Sequence, residues 1–144
     1  MTAATITVEG ISGSAYRVNI GGHQVVVDQP REGGGQDLGP TPTDLFVAGL
    51  ASCTAFYAGK FLQRRDIPTE NVRVTCDYTM TQSRPSRVES IRLVLDLPGG
   101  LSDDERAATL RAADQCSVHH SLQNNPDVAI SLSSNAPVVA GRTS

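Results

Sequence analysis

Two cysteines carry most of the chemistry this sequence offers. Cys53 stands in Ala51-Ser52-Cys53-Thr54-Ala55-Phe56, and Cys116 opens Cys116-Ser117-Val118-His119-His120. A lone cysteine in the middle of an apolar helix is most often a small buried hydrophobe, and that is the plain reading of Cys53. Cys116 shifts the weighing, because it falls at the break between two helical segments, where function is a better explanation than packing. Two cysteines far apart in sequence, each carried by a helix, can meet as an attacking and a resolving thiol. The third, Cys76, falls on the inward face of a strand and reads as inert. Cys116-x-x-His119-His120 also raises metal binding. Structural zinc takes four ligands, usually in paired spacings, and only one pair is present; His23 or Cys53 would have to complete a site that nothing in the pattern requires. His119 and His120 read as surface or interface histidines, with tuning of a nearby thiolate as the alternative.

The element that must position Cys53 runs from Pro40 to Arg65. Thr41 suits an N-cap, Pro42 the first helical position, and Asp44 closes a capping box. No charge follows from Leu45 to Gly59, and Arg64 and Arg65 sit at the negative end of the helix dipole. The uncharged stretch is too short for a membrane span. It is apolar nearly all round, so it is expected to be buried. Every Phe of the chain (Phe46, Phe56, Phe61) and Tyr57 lie on it.

Around this helix the pattern predicts strands over Thr5–Glu9, Tyr16–Ile20 and His23–Asp28, the latter two joined through Gly21-Gly22 as a tight hairpin. Residues 29–39 read as a flexible connection. Their glycines invite a phosphate-loop reading, but neither a Gly-Lys-Ser/Thr nor a Gly-x-Gly-x-x-Gly pattern is present. Strands follow at Val72–Met80 and Val88–Leu97. Ser102-Asp-Asp-Glu105 is a capping box for a helix to about Gln115. Cys116 opens a short helix stopped by Asn124-Asn125-Pro126, and Val128–Leu132 alternates like a last strand. Strands in neighbouring pairs predict an α+β fold with antiparallel pairing. The 144 residues read as one domain, with a core over about 5–132 and a polar tail over 133–144. A net charge of −3 with no basic patch excludes a nucleic-acid partner. The start reads straight into a strand pattern without a signal peptide, and the odd cysteine count fits no secreted disulfide framework, so a cytoplasmic setting is expected.

Gly39-Pro40-Thr41-Pro42-Thr43-Asp44-Leu45-Phe46, Ala48-Gly49-Leu50-Ala51-Ser52-Cys53-Thr54-Ala55, Ser102-Asp103-Asp104-Glu105-Arg106 and Cys116-Ser117-Val118-His119-His120-Ser121-Leu122 together resemble the osmotically induced protein C (OsmC) / organic hydroperoxide resistance (Ohr) family. Asp28-Gln29-Pro30-Arg31-Glu32-Gly33-Gly34 fits as well. The resemblance implies an α+β sandwich in which antiparallel sheets surround central Cys-bearing helices and two chains intertwine as a homodimer. It implies a Cys-based reduction of organic hydroperoxides with no cofactor, re-reduced by an external dithiol, lipoyl-type in some members. Carried over, Cys53 is the peroxidatic cysteine and Cys116 the resolving one. The family's activating Arg comes from an N-terminal strand, where Arg17 is the only candidate; should another cation lower the Cys53 thiol, Arg31 and Arg87 are next in line. Where the peroxidase subfamilies usually have Glu, this chain has Thr43, and Asp44 is the nearest acid. Cys116-Ser117-Val118-His119-His120 likewise departs from a common Cys-Pro-Val-His-Arg. Thr43 favours a rival reading, a dimeric binding or redox-interaction protein without efficient peroxidase activity.

Two physical constraints accompany the resemblance. An ordinary thiol is only a few per cent thiolate at pH 7, and Cys53 lies too far along the helix for the dipole to help, so a cation is expected, with Arg17 first. Asp44, nine residues before Cys53, is roughly 13 Å away on the opposite face of a continuous helix. It can act only through a partner chain, through a helix break, or by holding the activating Arg. Phe46, Phe56 and Tyr57 share the Cys53 side of the wheel and are the candidate lining of an apolar substrate pocket.

Overall fold

The computed structural model describes residues 4–133. Three strands, β1 (Ile6–Ser12), β2 (Ala15–Ile20) and β3 (His23–Val27), form an antiparallel sheet in that order. Gly21 and Gly22 both take positive φ, 51° and 83°, which sets the tight turn of the β2–β3 hairpin. The first strand extends to Ser12, beyond the predicted Glu9, and pairs with β2 through Glu9↔Arg17 and Gly10↔Tyr16.

Residues 29–39 are not the flexible connection expected from their glycines. The Asp28 carboxylate, 1% exposed, gathers them. It accepts the Ser14 hydroxyl at 2.6 Å and the backbone N–H groups of Gln29, Gln36 and Leu38 at 2.7, 3.1 and 3.2 Å. A 3-10 turn over Arg31–Gly33 folds the loop back, and the Asp28 N–H reaches the Pro40 carbonyl at 3.1 Å. A Cβ on Gly35 would collide with the Gln29 carbonyl, and one on Gly39 with the Val26 carbonyl. These glycines therefore permit close packing of backbone on backbone rather than looseness.

The loop delivers the chain into α1 (Pro42–Arg64), which starts as its sequence dictates. The Thr41 hydroxyl accepts the Asp44 N–H at 3.0 Å, and the Asp44 carboxylate accepts the Thr41 N–H at 3.3 Å. By length and composition α1 could cross a membrane. Here it is the spine of the fold, with Val47, Leu50, Thr54, Ala58, Gly59 and Leu62 buried. It packs on β4 (Arg73–Met80), β5 (Val88–Asp96), α2 (Asp103–Ala113) and α3 (Ser117–Gln123). The strands β4 and β5 pair antiparallel, with Val74↔Leu95, Cys76↔Leu93 and Tyr78↔Ile91 in register. These six residues form the half-buried face, and their neighbours alternate outward as the period of two requires.

Two expectations fail within one chain. All-round burial of α1 is not met: Phe46 and Phe56 are 43% and 61% exposed. The helix meets α2, α3 and the two-stranded sheet, while the three-stranded sheet shares no substantial contact with it, which leaves one side uncovered. The strand expected at Val128–Leu132 is also absent. The alternation is there, but the segment makes no ladder among the described residues, and Ile130 and Leu132 are 93% and 95% exposed. A strand exists by its hydrogen-bonded partner, and a period-two pattern alone does not supply one. Of the expected tail over 133–144, all but Ser133 lies outside the described residues.

Candidate active site

Cys53 lies about three turns into α1, half-buried, on the side that meets α3. Cys116 occupies the junction between α2 and α3. It is the N-cap of α3, and its sulfur accepts the His119 N–H at 3.4 Å. Capping by a sulfur explains the position of the helix break. Cys116 is fully buried, whereas Cys53 retains access to solvent, and both thiols are free.

The two sulfurs interact and are driven apart in acidity. Burial pushes the Cys53 thiol up, but hydrogen bonds outweigh it. These come from the Cys116 side chain, the Val118 N–H, and the hydroxyl and N–H of Ser117, and the net pKa falls below the ordinary thiol value. Cys116 moves the other way. Burial raises it, and donation to Cys53 raises it further, since losing that proton would place two negative sulfurs side by side. The arrangement is one thiolate-forming sulfur beside one sulfur that keeps its proton. Cys76 is half-buried on β4, and burial, then the neighbouring Asp77 charge, push its thiol up.

The other sequence candidates are distributed differently. Asp44 is engaged twice at the start of α1, in the capping box and with the Tyr78 hydroxyl, which donates to it at 2.6 Å. The Tyr78 bond, then Thr41, hold the Asp44 carboxyl below its usual range. Since α1 is continuous from Pro42 to Arg64, a helix break does not bring Asp44 to Cys53. Arg17 sits on β2 between Glu9 and Val26, in the sheet that stands off α1. The single chain does not bring it to Cys53, and every described group that shifts Cys53 is uncharged apart from its coupling to Cys116.

Phe46, Phe56 and Tyr57 are not gathered into one pocket within the chain. Phe46 lines a cleft of about 390 Å³ between α1, β5 and α3, with Leu50, Ile91, Leu93, His119 and Leu122. Phe56 packs edge-on against Tyr57, ring centroids 5.2 Å apart, and Tyr57 faces a separate hollow with Lys60 and Phe61. A second cleft of about 350 Å³ lies on the α2 side, lined by Thr54, Leu95, Leu110 and Asp114. His119 borders both clefts, and its Nδ1 stands 3.5 Å from an Asp114 oxygen. Among the described residues, no cluster of His, Cys, Asp and Glu could hold a metal ion.

Neither Ser117 nor Asp28 was among the site residues expected from the sequence. The sign of Ser117 was its position, directly after a helix-capping cysteine. The sign of Asp28 was an acid at the end of an apolar strand followed by a glycine-rich run.

Comparisons with known proteins agree with this architecture. A search of curated protein sequences finds no match. The fold is similar to the crystal structure of an OsmC-like protein from Mycoplasma pneumoniae, at 17% identity and a TM-score of 0.72, covering 86% of this chain and 89% of that one. It is similar also to an organic hydroperoxide resistance protein from Elizabethkingia anophelis, solved with thiocyanate bound. There the identity is 23%, the TM-score 0.64, and the coverage 86% of this chain and 91% of that one. An organic hydroperoxide resistance protein OsmC from Legionella pneumophila matches at 21% identity and a TM-score of 0.64, over 87% and 93% of the two chains. Identities this low speak for the α+β fold with antiparallel sheets. The family model for OsmC-like proteins matches residues 33–131, spanning α1 and both cysteines of the site, and the chain therefore belongs to the OsmC-like family.

Proposed function

We propose that this protein is a thiol peroxidase that reduces organic hydroperoxides through a Cys53–Cys116 dithiol/disulfide cycle, protecting the cytoplasm against oxidative stress. The observation that carries the reading is the asymmetry of the pair: an accessible sulfur with a lowered pKa beside a buried one with a raised pKa. The nucleophile is the thiolate, so Cys53 attacks and Cys116 waits. Cys53 attacks the terminal peroxide oxygen, the O–O bond breaks, and the departing alkoxide takes a proton and leaves as the alcohol. Cys53 is then a sulfenic acid. The Cys116 sulfur attacks it, the S–S bond forms, the S–O bond breaks, and water leaves. An external dithiol, of the lipoyl type, restores both thiols by exchange and is itself oxidised to a disulfide.

The apolar cleft beside Phe46, Leu50 and Leu93 supports a substrate with an alkyl or lipid-like body. The uncovered side of α1, with Phe46 and Phe56 exposed, supports a homodimer in which a second chain lies against it. In such a dimer, Arg17 of one chain and Cys53 of the other are candidates to meet, with Phe56 and Tyr57 closing the pocket. Two names among the similar structures, those from Elizabethkingia anophelis and Legionella pneumophila, are organic hydroperoxide resistance proteins.

The rival is a dimeric binding or redox-interaction protein of the same fold. Its specific support is that Arg17 is remote from Cys53 within the chain and that Asp44 is committed to Tyr78. A steady-state assay with an organic hydroperoxide and dihydrolipoamide separates the two. Turnover that disappears in Cys53→Ser supports the peroxidase; turnover no higher than that variant's supports the binding protein.

A further inference from the structure

The Ser117 hydroxyl oxygen lies 3.7 Å from the Cys53 sulfur, across the gap between the first residue of α3 and the middle of α1. We propose that Ser117 is a catalytic residue of this site, its hydroxyl donating a hydrogen bond to the Cys53 thiolate and so doing, without charge, what a cationic side chain does elsewhere. The inference rests on Cys53 being the nucleophile of the proposed reaction.

The argument is one of donors and acceptors. When Cys53 carries its proton, either atom of the pair can donate. When Cys53 is ionised, the sulfur only accepts, and the hydroxyl must donate. A hydrogen bond to an ionised partner is roughly twice as strong as one between neutral groups. The contact is therefore worth more to the thiolate than to the thiol and favours ionisation. The Cys116 thiol is the other side-chain donor, but S–H is a weak one. The Ser117 hydroxyl is the one conventional side-chain donor among the described groups that act on Cys53.

Within the single chain the surroundings leave this role to a neutral group, and an Arg17 supplied by a second chain would act beside it. The neighbouring titratable group is Cys116, which holds its proton. Beyond it stands the His119–Asp114 pair, which reaches Cys116 only through the His119 backbone N–H. No charged side chain of α1, or of α2 and α3 packed against it, shifts Cys53. Ser117 is exposed at the start of α3, so it can be changed with little consequence for the core.

The test measures alkylation of Cys53 by iodoacetamide in the full-length reduced protein from pH 5 to 10, read by peptide mass spectrometry, for wild type, Ser117→Ala and Ser117→Thr. On the acid side, Ser117→Ala should alkylate about three- to ten-fold more slowly, as the loss of one hydrogen bond to a thiolate implies. Its rate should rejoin wild type at high pH, where both are ionised, and Ser117→Thr should follow the wild-type profile. Superimposed profiles for Ser117→Ala and wild type would overturn the inference. So would a deficit that persists at high pH, which marks lost access, or a failure of Ser117→Thr to restore the rate. The peroxidase reading fails separately. A wild type with a Ser117-dependent profile but no turnover keeps this inference and removes that one, and an active wild type with superimposed profiles does the reverse.

Discussion

Asp28 and Cys53 are both acids held below their ordinary pKa by neutral hydrogen-bond donors, and the fold puts them to opposite uses. Ser14 is the largest influence on Asp28, and Ser14 and the N–H groups of Gln29, Leu38 and Gln36 jointly outweigh burial, bringing the carboxyl to about 2. That carboxylate is enclosed, its oxygens are taken up by the loop, and nothing can approach it. At Cys53 burial is the largest influence, and the donors of Cys116, Val118 and Ser117 must overcome it. The sulfur stays half open, and two of its donors, Ser117 and Val118, stand on a seven-residue helix with no buried residue, while the third, Cys116, is that helix's buried N-cap. The same chemistry makes a structural clasp where the anion is saturated and sealed. It makes a candidate nucleophile where the anion is reachable and its donors can give way.

The largest expected effect tests the reactive half of this comparison. Cys53→Ser should lower hydroperoxide turnover by about a thousand-fold or more, as loss of a nucleophile does. Cys116→Ser should still consume a first equivalent of peroxide, then accumulate sulfinic or sulfonic acid at Cys53. In wild type, one equivalent of organic hydroperoxide should join Cys53 to Cys116 and leave Cys76 free. A Cys53–Cys76 peptide in mass mapping would break the assignment of roles.

The structural half is tested next. Gly35→Ala places a methyl against the Gln29 carbonyl and should destabilise the fold by about 1–3 kcal/mol in urea denaturation, the usual cost of overpacking. Turnover should persist in the fraction that stays folded, because Cys53 does not rely on this loop for its donors. A Gly35→Ala protein as stable as wild type would show that the loop is looser than its hydrogen bonds imply.

Acid separates the two centres further. Because folding lowers the Asp28 pKa, its contribution is full above the unfolded value near 3.9 and is lost as pH falls toward about 2. The stability difference between wild type and Asp28→Asn should therefore be large at pH 6 and shrink toward zero near pH 2. A gap that stays constant with pH would mean that the loop relies on the shape of Asp28 rather than on its charge.

The smallest effect concerns the start of α1. Tyr78→Phe removes the hydrogen bond to Asp44 and should cost about 1 kcal/mol, less than is usual for a bond to a charged group, since both residues are half-buried and water can substitute. Stability would then be less sensitive to acid, because the Asp44 pKa, now lowered chiefly by Tyr78, would return toward its usual value. The alkylation profile of Cys53 should not change. If it does, Asp44 reaches the sulfur by a route that a single chain does not contain.

The sequence by itself determined the elements whose signals are local. Thr41-Pro42-Thr43-Asp44 and Ser102-Asp103-Asp104-Glu105 cap their helices as written, because a capping box closes within four residues. Gly21-Gly22 turned its hairpin, and the alternation over β4 and β5 sorted their faces, for the same reason. The motifs around Cys53 and Cys116 also marked the family. What depends on residues far apart in sequence was left to the tertiary structure. The donors that lower Cys53 come from α3 and its N-cap Cys116, and Asp28 draws its clasp from Ser14 and Leu38, so neither environment is written next to the residue it shapes. The strand pattern at Val128–Leu132 shows the converse: alternation describes a willingness to pair, and only a neighbouring edge turns it into a strand. Hydrogen bonds across the fold are a property of proximity, and proximity is what the packing of α1 against α2, α3 and the two-stranded sheet decides.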